Sequence, residues 1–300
     1  MNGQETRCGV VAVIGAPNAG KSTLVNQLVG QKVAITSPKA QTTRARMLGI
    51  ALLNETQVLL VDTPGIFAPR RRLDRAMVNA AWEGTNEADA ILLMIDPIKQ
   101  RRHEMIPLVE SLADRPEPKL LIINKVDKAK KEELLVLAEE LSAMAAFEEI
   151  FFISALTGDG VPEMKAALAA KMPVGPWLYP EDQVSNVSER LLAAEVTREQ
   201  LYLQLREELP YDSAIRPESY VEKNDGSVEI RQQIVVARDT QKGIVLGKGG
   251  ARIREIGEAA RRELGEILGR KVHLFLHVKV EENWAENREL FETIGLDWVK

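Results

Sequence analysis

Three hundred residues allow one large domain or two ordinary ones, and 45% hydrophobic with 5% aromatic residues suits a chain with a sizeable aliphatic core. With 39 basic against 44 acidic residues the chain has no overall basic signature for nucleic acid, although such an average can hide one basic module. A single cysteine, Cys8, excludes an intramolecular disulfide and reads as a small core residue; with no signal-like apolar stretch and no run of roughly 20 apolar residues, a reducing cytoplasmic location is expected.

In chain order, short apolar runs at 10–14, 51–53, 58–61, 90–95, 120–123 and 150–153 read as strands. Segments 22–29, 101–114, 131–145 and 161–170 read as helices between or after them. This alternation predicts an α/β fold, a mostly parallel sheet flanked by helices, with ligands at the carboxyl ends of the strands. Pro173, Gly175, Pro176 and Pro180 break the rhythm, so 173–186 reads as a linker between a first domain over 1–172 and a second over 187–300. The second domain reads as a smaller α+β module. It has a helix over 187–208, strands over 214–222 and 228–237 joined by Asn224-Asp-Gly226, and a glycine-rich loop. A helix over 251–268, a strand over 272–280 and a short helix over 284–291 complete it.

Between the first strand and the first helix lies Gly15-Ala16-Pro17-Asn18-Ala19-Gly20-Lys21-Ser22, with Thr23 following. The spacing G-x-x-x-x-G-K-S at that place is a phosphate cradle: the backbone wraps close, and successive N–H groups with a helix N-terminus face negative charge. Lys21 is expected on the β- and γ-phosphates and the Ser22 hydroxyl on Mg²⁺. After the strand over 58–61 comes Asp62-Thr63-Pro64-Gly65, whose carboxylate can hold Mg²⁺ through a water while the Gly65 N–H meets the γ-phosphate. Thr42 or Thr43 should add a hydroxyl ligand to Mg²⁺; spacing does not choose between them, and Thr43 is favoured. Asn124-Lys125-Val126-Asp127 ends one strand, and Ser154-Ala155-Leu156 ends the next. Asp127 can accept from N1–H and the 2-amino group of guanine, donors that adenine lacks. Asn124 is expected at the purine edge, the Lys125 stem over the ring and the Ala155 N–H on O6.

In this order the motifs resemble the Ras-like GTPase superfamily and its bacterial translation-associated branch. Ile66 stands where the Ras type carries a water-orienting glutamine, so intrinsic hydrolysis should be slow. The resemblance implies a different aid: in related GTPases an asparagine at the place of Asn18 helps hold K⁺ beside the phosphates. Hydrolysis is therefore expected to be accelerated by K⁺, by a macromolecular partner, or by both, with Asn18, Lys21, Thr43 and Gly65 as the catalytic set. Residues 31–44 and 63–82 are the expected switch segments.

In the second domain Gly247-Lys248-Gly249-Gly250 forms a G-x-x-G loop directly before a helix carrying Arg252 and Arg254. Residues 231–280 hold 11 Lys/Arg against 5 Asp/Glu, a balance of +6 within a chain of −5. That suits a nucleic-acid backbone and predicts salt-dependent binding. Ile244, Leu246, Ile253 and Ile256 are candidate liners of an apolar groove, although each is individually more at home in a core. His273 and His277 share one strand face and His103 stands on a polar helix, none with further ligands for a metal. The order helix-strand-strand-helix-strand resembles a type II KH domain. With Lys39-Ala-Gln-Thr-Thr-Arg44, Glu208-Leu-Pro-Tyr211 and 278–284, the whole chain resembles the Era-like family of bacterial GTPases. The resemblance implies a monomer that uses GTP/GDP and Mg²⁺ and binds small-subunit ribosomal RNA near its 3′ end. It further implies a role in small ribosomal subunit assembly and peripheral contact with the inner face of the cell membrane. The alternative is a regulatory GTPase whose KH-like module docks protein or membrane partners.

Overall fold

Along β1 (Arg7–Gly15) successive side chains enter opposite cores, Val11 and Val13 on one face, Ala12 and Ile14 on the other. The computed structural model describes residues 5–39 and 41–299 and divides into two units. The first comprises Met1–Ala34, Thr43–Arg70 and Met77–Asn186. After β1 come α1 (Lys21–Val29), β2 (Met47–Leu53), β3 (Thr56–Asp62) and α2 (Arg72–Glu83), which groups with this unit from Met77 onward. Then follow β4 (Ala90–Ile95), α3 (Arg102–Glu110), β5 (Lys119–Ile123), α4 (Lys131–Ser142), β6 (Glu149–Phe152) and α5 (Val161–Lys171). The strands form one sheet in the order β2-β3-β1-β4-β5-β6, parallel except for β2. A turn of only two residues, Asn54 and Glu55, joins β2 to β3, too short for a crossover, so this pair must be antiparallel.

Both faces of the sheet are covered, which is why β1, β4 and β5 read as unbroken apolar runs. Leu24, Val25 and Leu28 of α1 with Met164 and Leu168 of α5 cover one face. Met105, Leu108 and Val109 of α3 with Leu134, Leu137 and Leu141 of α4 cover the other. Helix α2 occupies residues within the expected switch segment 63–82, where no helix is predicted. Its signal was present: Leu73, Ala76, Met77, Ala80 and Ala81 fall at helical spacing and all are buried. Residues 173–186, read as linker, are held on this unit. The buried Gln57 side chain accepts from Leu178 N and Tyr179 N at 2.9 and 3.0 Å and donates to Tyr179 O at 2.8 Å. Trp177 and Tyr179 pack with Cys8, Ile50 and Leu59, so Cys8 is a core residue as expected.

The second unit comprises Ile35–Thr42, Arg71–Ala76 and Val187–Lys300. Its elements are α6 (Glu189–Gln204), β7 (Ser213–Glu222), β8 (Val228–Val236), α7 (Asp239–Leu246), α8 (Ala251–Leu268), β9 (Val272–Val280) and α9 (Arg288–Thr293). β8 is central, antiparallel to β7 and parallel to β9. One sheet face packs against α6 and α8: Val228, Ile230, Ile234 and Val236 of β8 meet Ala193, Val196 and Leu201 of α6 with Ile256, Ala260 and Leu264 of α8. The helix expected over 284–291 is instead a short 3₁₀ turn at Trp284–Glu286 followed by α9. The helix α7 was not expected, because its eight residues include Gly243 and the β-branched Thr240, Ile244 and Val245. Segments 35–42 and 71–76, read from sequence as parts of the first domain, group with this unit. Thr36 N donates to Glu199 Oε1 at 2.8 Å, and the Lys39 ammonium caps α6 by donating to the carbonyls of Tyr202 and Leu205. Arg71 and Arg72 pair with Asp212 and Glu286 at 2.7 and 2.5 Å. Within 39–44, Ala40 lies outside the described residues. Among the described residues no helix is long and apolar enough to cross a membrane.

Candidate nucleotide and nucleic-acid sites

The parallel strands of the first unit end on one edge, and the sequence motifs follow at those ends. Gly15 closes β1, the loop 16–20 follows, and Lys21 opens α1. Lys21 is buried and lies back across the loop, its Nζ 3.2 Å from Gly15 O and 3.0 Å from Ala16 O. Burial pushes this ammonium down to about 8, and the Asp62 carboxylate partly offsets the shift. Asn18 adopts a left-handed backbone with φ 64°, a conformation asparagine tolerates better than most residues. Pro17 and Ala19 complete the loop, with Ala19 N donating to Ala16 O at 3.3 Å, and Thr23 lies in the first turn of α1.

Three oxygens converge beside this loop. Ser22 Oγ donates to Asp62 Oδ2 at 2.7 Å, lies 2.8 Å from Thr43 Oγ1, and Thr43 Oγ1 donates to the same carboxylate oxygen at 3.3 Å. Two hydroxyls and one buried carboxylate are hard donors suited to Mg²⁺. The structure also separates the two threonines: Thr42 Oγ1 donates to Lys39 O at 2.8 Å, within the other unit, whereas Thr43 joins the oxygen cluster. Thr63 is fully buried and donates to Val13 O at 2.7 Å; Pro64 is buried, and Gly65 is buried against Pro17 of the phosphate loop. Ile66 N donates to Gly15 O at 3.0 Å and its side chain packs against the core, so it has no polar group for a water.

At the expected base site the side chains are partly committed to the protein. Asn124 is buried; its Nδ2 donates to Ala19 O at 2.8 Å and its Oδ1 accepts from Ala155 N at 2.9 Å. Asn124 ties the phosphate loop to the loop after β6, and the Ala155 N–H points at that amide. Lys125, left-handed at φ 64°, donates to Asn18 O at 2.8 Å and to Asp96 Oδ2 at 2.5 Å. Asp96 was not singled out in the sequence; an acidic residue at the end of an apolar strand was the only signal. Asp127 is exposed in a 3₁₀ turn over Val126–Lys128. Ser154 is buried and its Oγ accepts from Thr157 N at 3.2 Å, whereas Leu156 is 73% exposed.

The arrangement therefore holds a glycine-rich loop, a hard-oxygen set and the exposed Asp127 carboxylate on one sheet edge. A model of the 50S ribosome-binding GTPase family matches residues 10–125, and a KH domain model matches residues 208–285. A GTPase Era of Erythrobacter litoralis is 73% identical over 304 residues, covering 100% of both chains, and one of Sinorhizobium medicae is 54% identical over 98% of this chain and 95% of its own. This chain belongs to the GTPase Era family. It is a GTPase, built from a GTPase fold and a KH domain. A crystal structure of Era in complex with MgGDPNP and nucleotides 1506–1542 of 16S ribosomal RNA is 38% identical. It covers 97% of this chain and 99% of its own, with a TM-score of 0.92. A point variant of Aquifex aeolicus Era, bound to GDP and AlF4⁻, gives a TM-score of 0.91 at 38% identity, over 97% of this chain and 99% of its own.

In the Era-type KH domain of this chain, α7 ends at Gly247, whose φ of 71° and ψ of 176° suit only glycine. A Cβ there would lie 2.7 Å from Arg252 Cβ and 2.9 Å from Arg252 N. Lys248, Gly249 and Gly250 lead into α8; Lys248 and Arg254 are exposed, and Arg252 pairs with Glu255 at 2.8 Å. Of the candidate liners, Ile244 is 58% exposed, and Leu246 and Ile253 are half-buried beside the core. Ile256 is fully buried and is core, not groove. His273 and His277 sit on the outer sheet face, His277 Nδ1 3.3 Å from Glu218 Oε2, and His103 is exposed. Among the described residues no group of three or more His, Cys, Asp or Glu could hold a metal.

Proposed function

We propose that this GTPase is a nucleotide-controlled switch that binds small-subunit ribosomal RNA near its 3′ end through the KH domain and acts in small ribosomal subunit assembly. The observation that carries this is one chain joining a phosphate loop with its oxygen cluster at Ser22, Thr43 and Asp62 to a G-x-x-G loop flanked by exposed Lys248 and Arg254. The full-length likeness to Era solved with MgGDPNP and 16S RNA supports it. Docking of protein or membrane partners by the KH module is the less favoured reading on the same ground.

In this reading GTP lies along residues 15–23 with its γ-phosphate met by the Gly65 N–H, and Mg²⁺ is held by Ser22, Thr43 and, through water, Asp62. Asp127 selects guanine, and Lys125 covers the ring. Coupling rests on chain continuity: Thr43 directly follows residues 35–42, which group with the second unit. Intrinsic hydrolysis is slow because Ile66 cannot orient water, and K⁺ held beside Asn18, a macromolecular partner, or both accelerate it. The protein works as a cytoplasmic monomer with peripheral contact at the inner face of the cell membrane; sedimentation with anionic vesicles tests that last part.

The deciding experiment is filter binding to a single-stranded RNA carrying the 3′ end of 16S RNA, with GDP, GTP and a non-hydrolysable analogue. Lys248→Ala and Gly250→Asp are the informative variants: at Gly250 a side chain meets nothing within 4 Å and the left-handed φ of 80° strains aspartate and asparagine less than other residues, whereas Gly247→Asp would collide with Arg252. Binding that is strongest with the analogue and weakened in both variants is expected. RNA binding indifferent to both substitutions and to nucleotide overturns the proposal.

A further inference from the structure

Lys125 is the one residue of the base motif whose side chain is tied down at its charged end, and the tie is a buried acid outside every motif. Asp96, 3% exposed, follows β4 directly and splits its two carboxylate oxygens between two tasks. Oδ1 accepts from Ile98 N at 2.9 Å and from Lys99 N at 3.1 Å, folding the loop back on itself. That turn is closed again by Gln100, whose N donates to Asp96 O at 3.1 Å and whose Oε1 accepts from Asp96 N at 3.3 Å. Oδ2 is thereby aimed outward, and it accepts from the Lys125 ammonium at 2.5 Å. The same ammonium donates to Asn18 O at 2.8 Å, in the phosphate loop. Beside this, Asn124 N donates to Ile95 O at 3.0 Å, which fixes the height of the base motif against the end of β4.

We propose that Asp96 is a positioning residue for guanine-nucleotide retention: by holding the Lys125 ammonium against Asn18 O it keeps the Lys125 stem extended over the base and fastens the base motif to the phosphate loop. The inference rests on the reading of Lys125 as the cover of the purine ring. A lysine stem has four rotatable bonds and an exposed ammonium prefers water, so without a buried anion the side chain would swing out. Pairing with a buried carboxylate removes that freedom before nucleotide arrives, and the effect belongs in dissociation, because the ring must leave past the fixed stem.

The test is release of a ribose-labelled fluorescent GDP, chased with excess GDP, from the full chain and from Asp96→Asn, Lys125→Met and the double variant. Asparagine keeps the Oδ1 acceptor of the turn but offers Lys125 an amide donor, so the pair is lost and the loop is not. Loss of one charge-assisted contact raises the dissociation rate about 10- to 100-fold. Single-turnover hydrolysis of bound GTP should change by less than about threefold, because Asp96 has no contact with the oxygen cluster. In the double variant Asp96→Asn should add nothing to Lys125→Met, since its action passes through Lys125. Should Asp96→Asn melt early, Asp96→Ser, which also preserves an acceptor for the turn, must give the same acceleration. An unchanged release rate in Asp96→Asn, or the same acceleration on the Lys125→Met background, overturns the proposal. No effect of Lys125→Met alone would instead remove the underlying placement of Lys125 at the base.

Discussion

Gly65→Ala adds one methyl group where the phosphate loop and the Asp62-Thr63-Pro64-Gly65 loop touch backbone to backbone. A Cβ on Gly65 would stand 2.6 Å from Pro17 Cγ and Pro17 N and 2.7 Å from Pro17 Cα. Those atoms belong to a ring and a main chain and cannot rotate aside. Ordinary carbon contacts lie at about 3.5–4 Å, so the two loops must part by roughly 1 Å. The Ile66 N to Gly15 O bond, 3.0 Å long, then opens to about 4 Å and ceases to exist. Losing it leaves the Ile66 N–H without its partner, while Gly15 O keeps the Lys21 ammonium, at a cost of about 1–3 kcal/mol to the apoprotein. In the function proposed above, the same displacement carries the residue 65 N–H away from the γ-phosphate, where a charge-assisted bond is worth about 1.5–3 kcal/mol. Affinity for a non-hydrolysable GTP analogue should therefore fall about 10- to 100-fold. GDP has no phosphate at that place, and its affinity should change by less than about threefold. Equilibrium titration of both nucleotides, with a melting curve of the apoprotein, reads all three effects. Equal losses for GDP and the analogue, or no loss for either, would refute the reasoning.

Asp127→Asn should shift preference from guanosine to xanthosine nucleotides, with loss of two charge-assisted bonds lowering guanine discrimination by about two to four powers of ten in competition binding. Asn18→Gly removes the amide while tolerating the φ of 64°, so a K⁺-dependent hydrolysis rate should collapse to the rate in Na⁺; equal turnover in both ions for the parent protein disposes of the K⁺ reading. Ser188→Ala removes the N-cap of α6, where Ser188 Oγ accepts from Leu191 N at 3.3 Å, and should cost about 1 kcal/mol in urea unfolding. Glu281 is held below its ordinary value of 4.5 chiefly by Arg216, at 2.9 and 3.1 Å, with Asn287 assisting at 2.7 Å. Its contribution to the KH domain is thus complete above pH 4.5 and is lost as pH falls through the lower, folded-state value. Glu281→Gln should flatten that part of the urea midpoint profile.

The alternation of apolar strands and helical stretches was legible because burial on two faces leaves a local, periodic trace, and so was the glycine-rich loop between the first strand and the first helix, which depends on spacing within a few residues. Helix α2 had such a trace too, hidden under a functional assignment of the same residues. What the amino-acid order could not decide was every feature made by partners far apart in the chain. Thr42 and Thr43 are neighbours in sequence, yet only one meets Ser22 and Asp62 while the other turns to Lys39. Asn124 reaches across 105 residues to Ala19, a bond between loops that no local spacing announces. Asp96 gained a role only through Lys125, and Ile256 lost one by facing the core. The sequence by itself determined which chemistry this chain carries. Tertiary structure decided which of two adjacent hydroxyls joins Ser22 and Asp62, and what each side-chain end touches, because hydrogen-bond geometry is fixed by packing between distant segments.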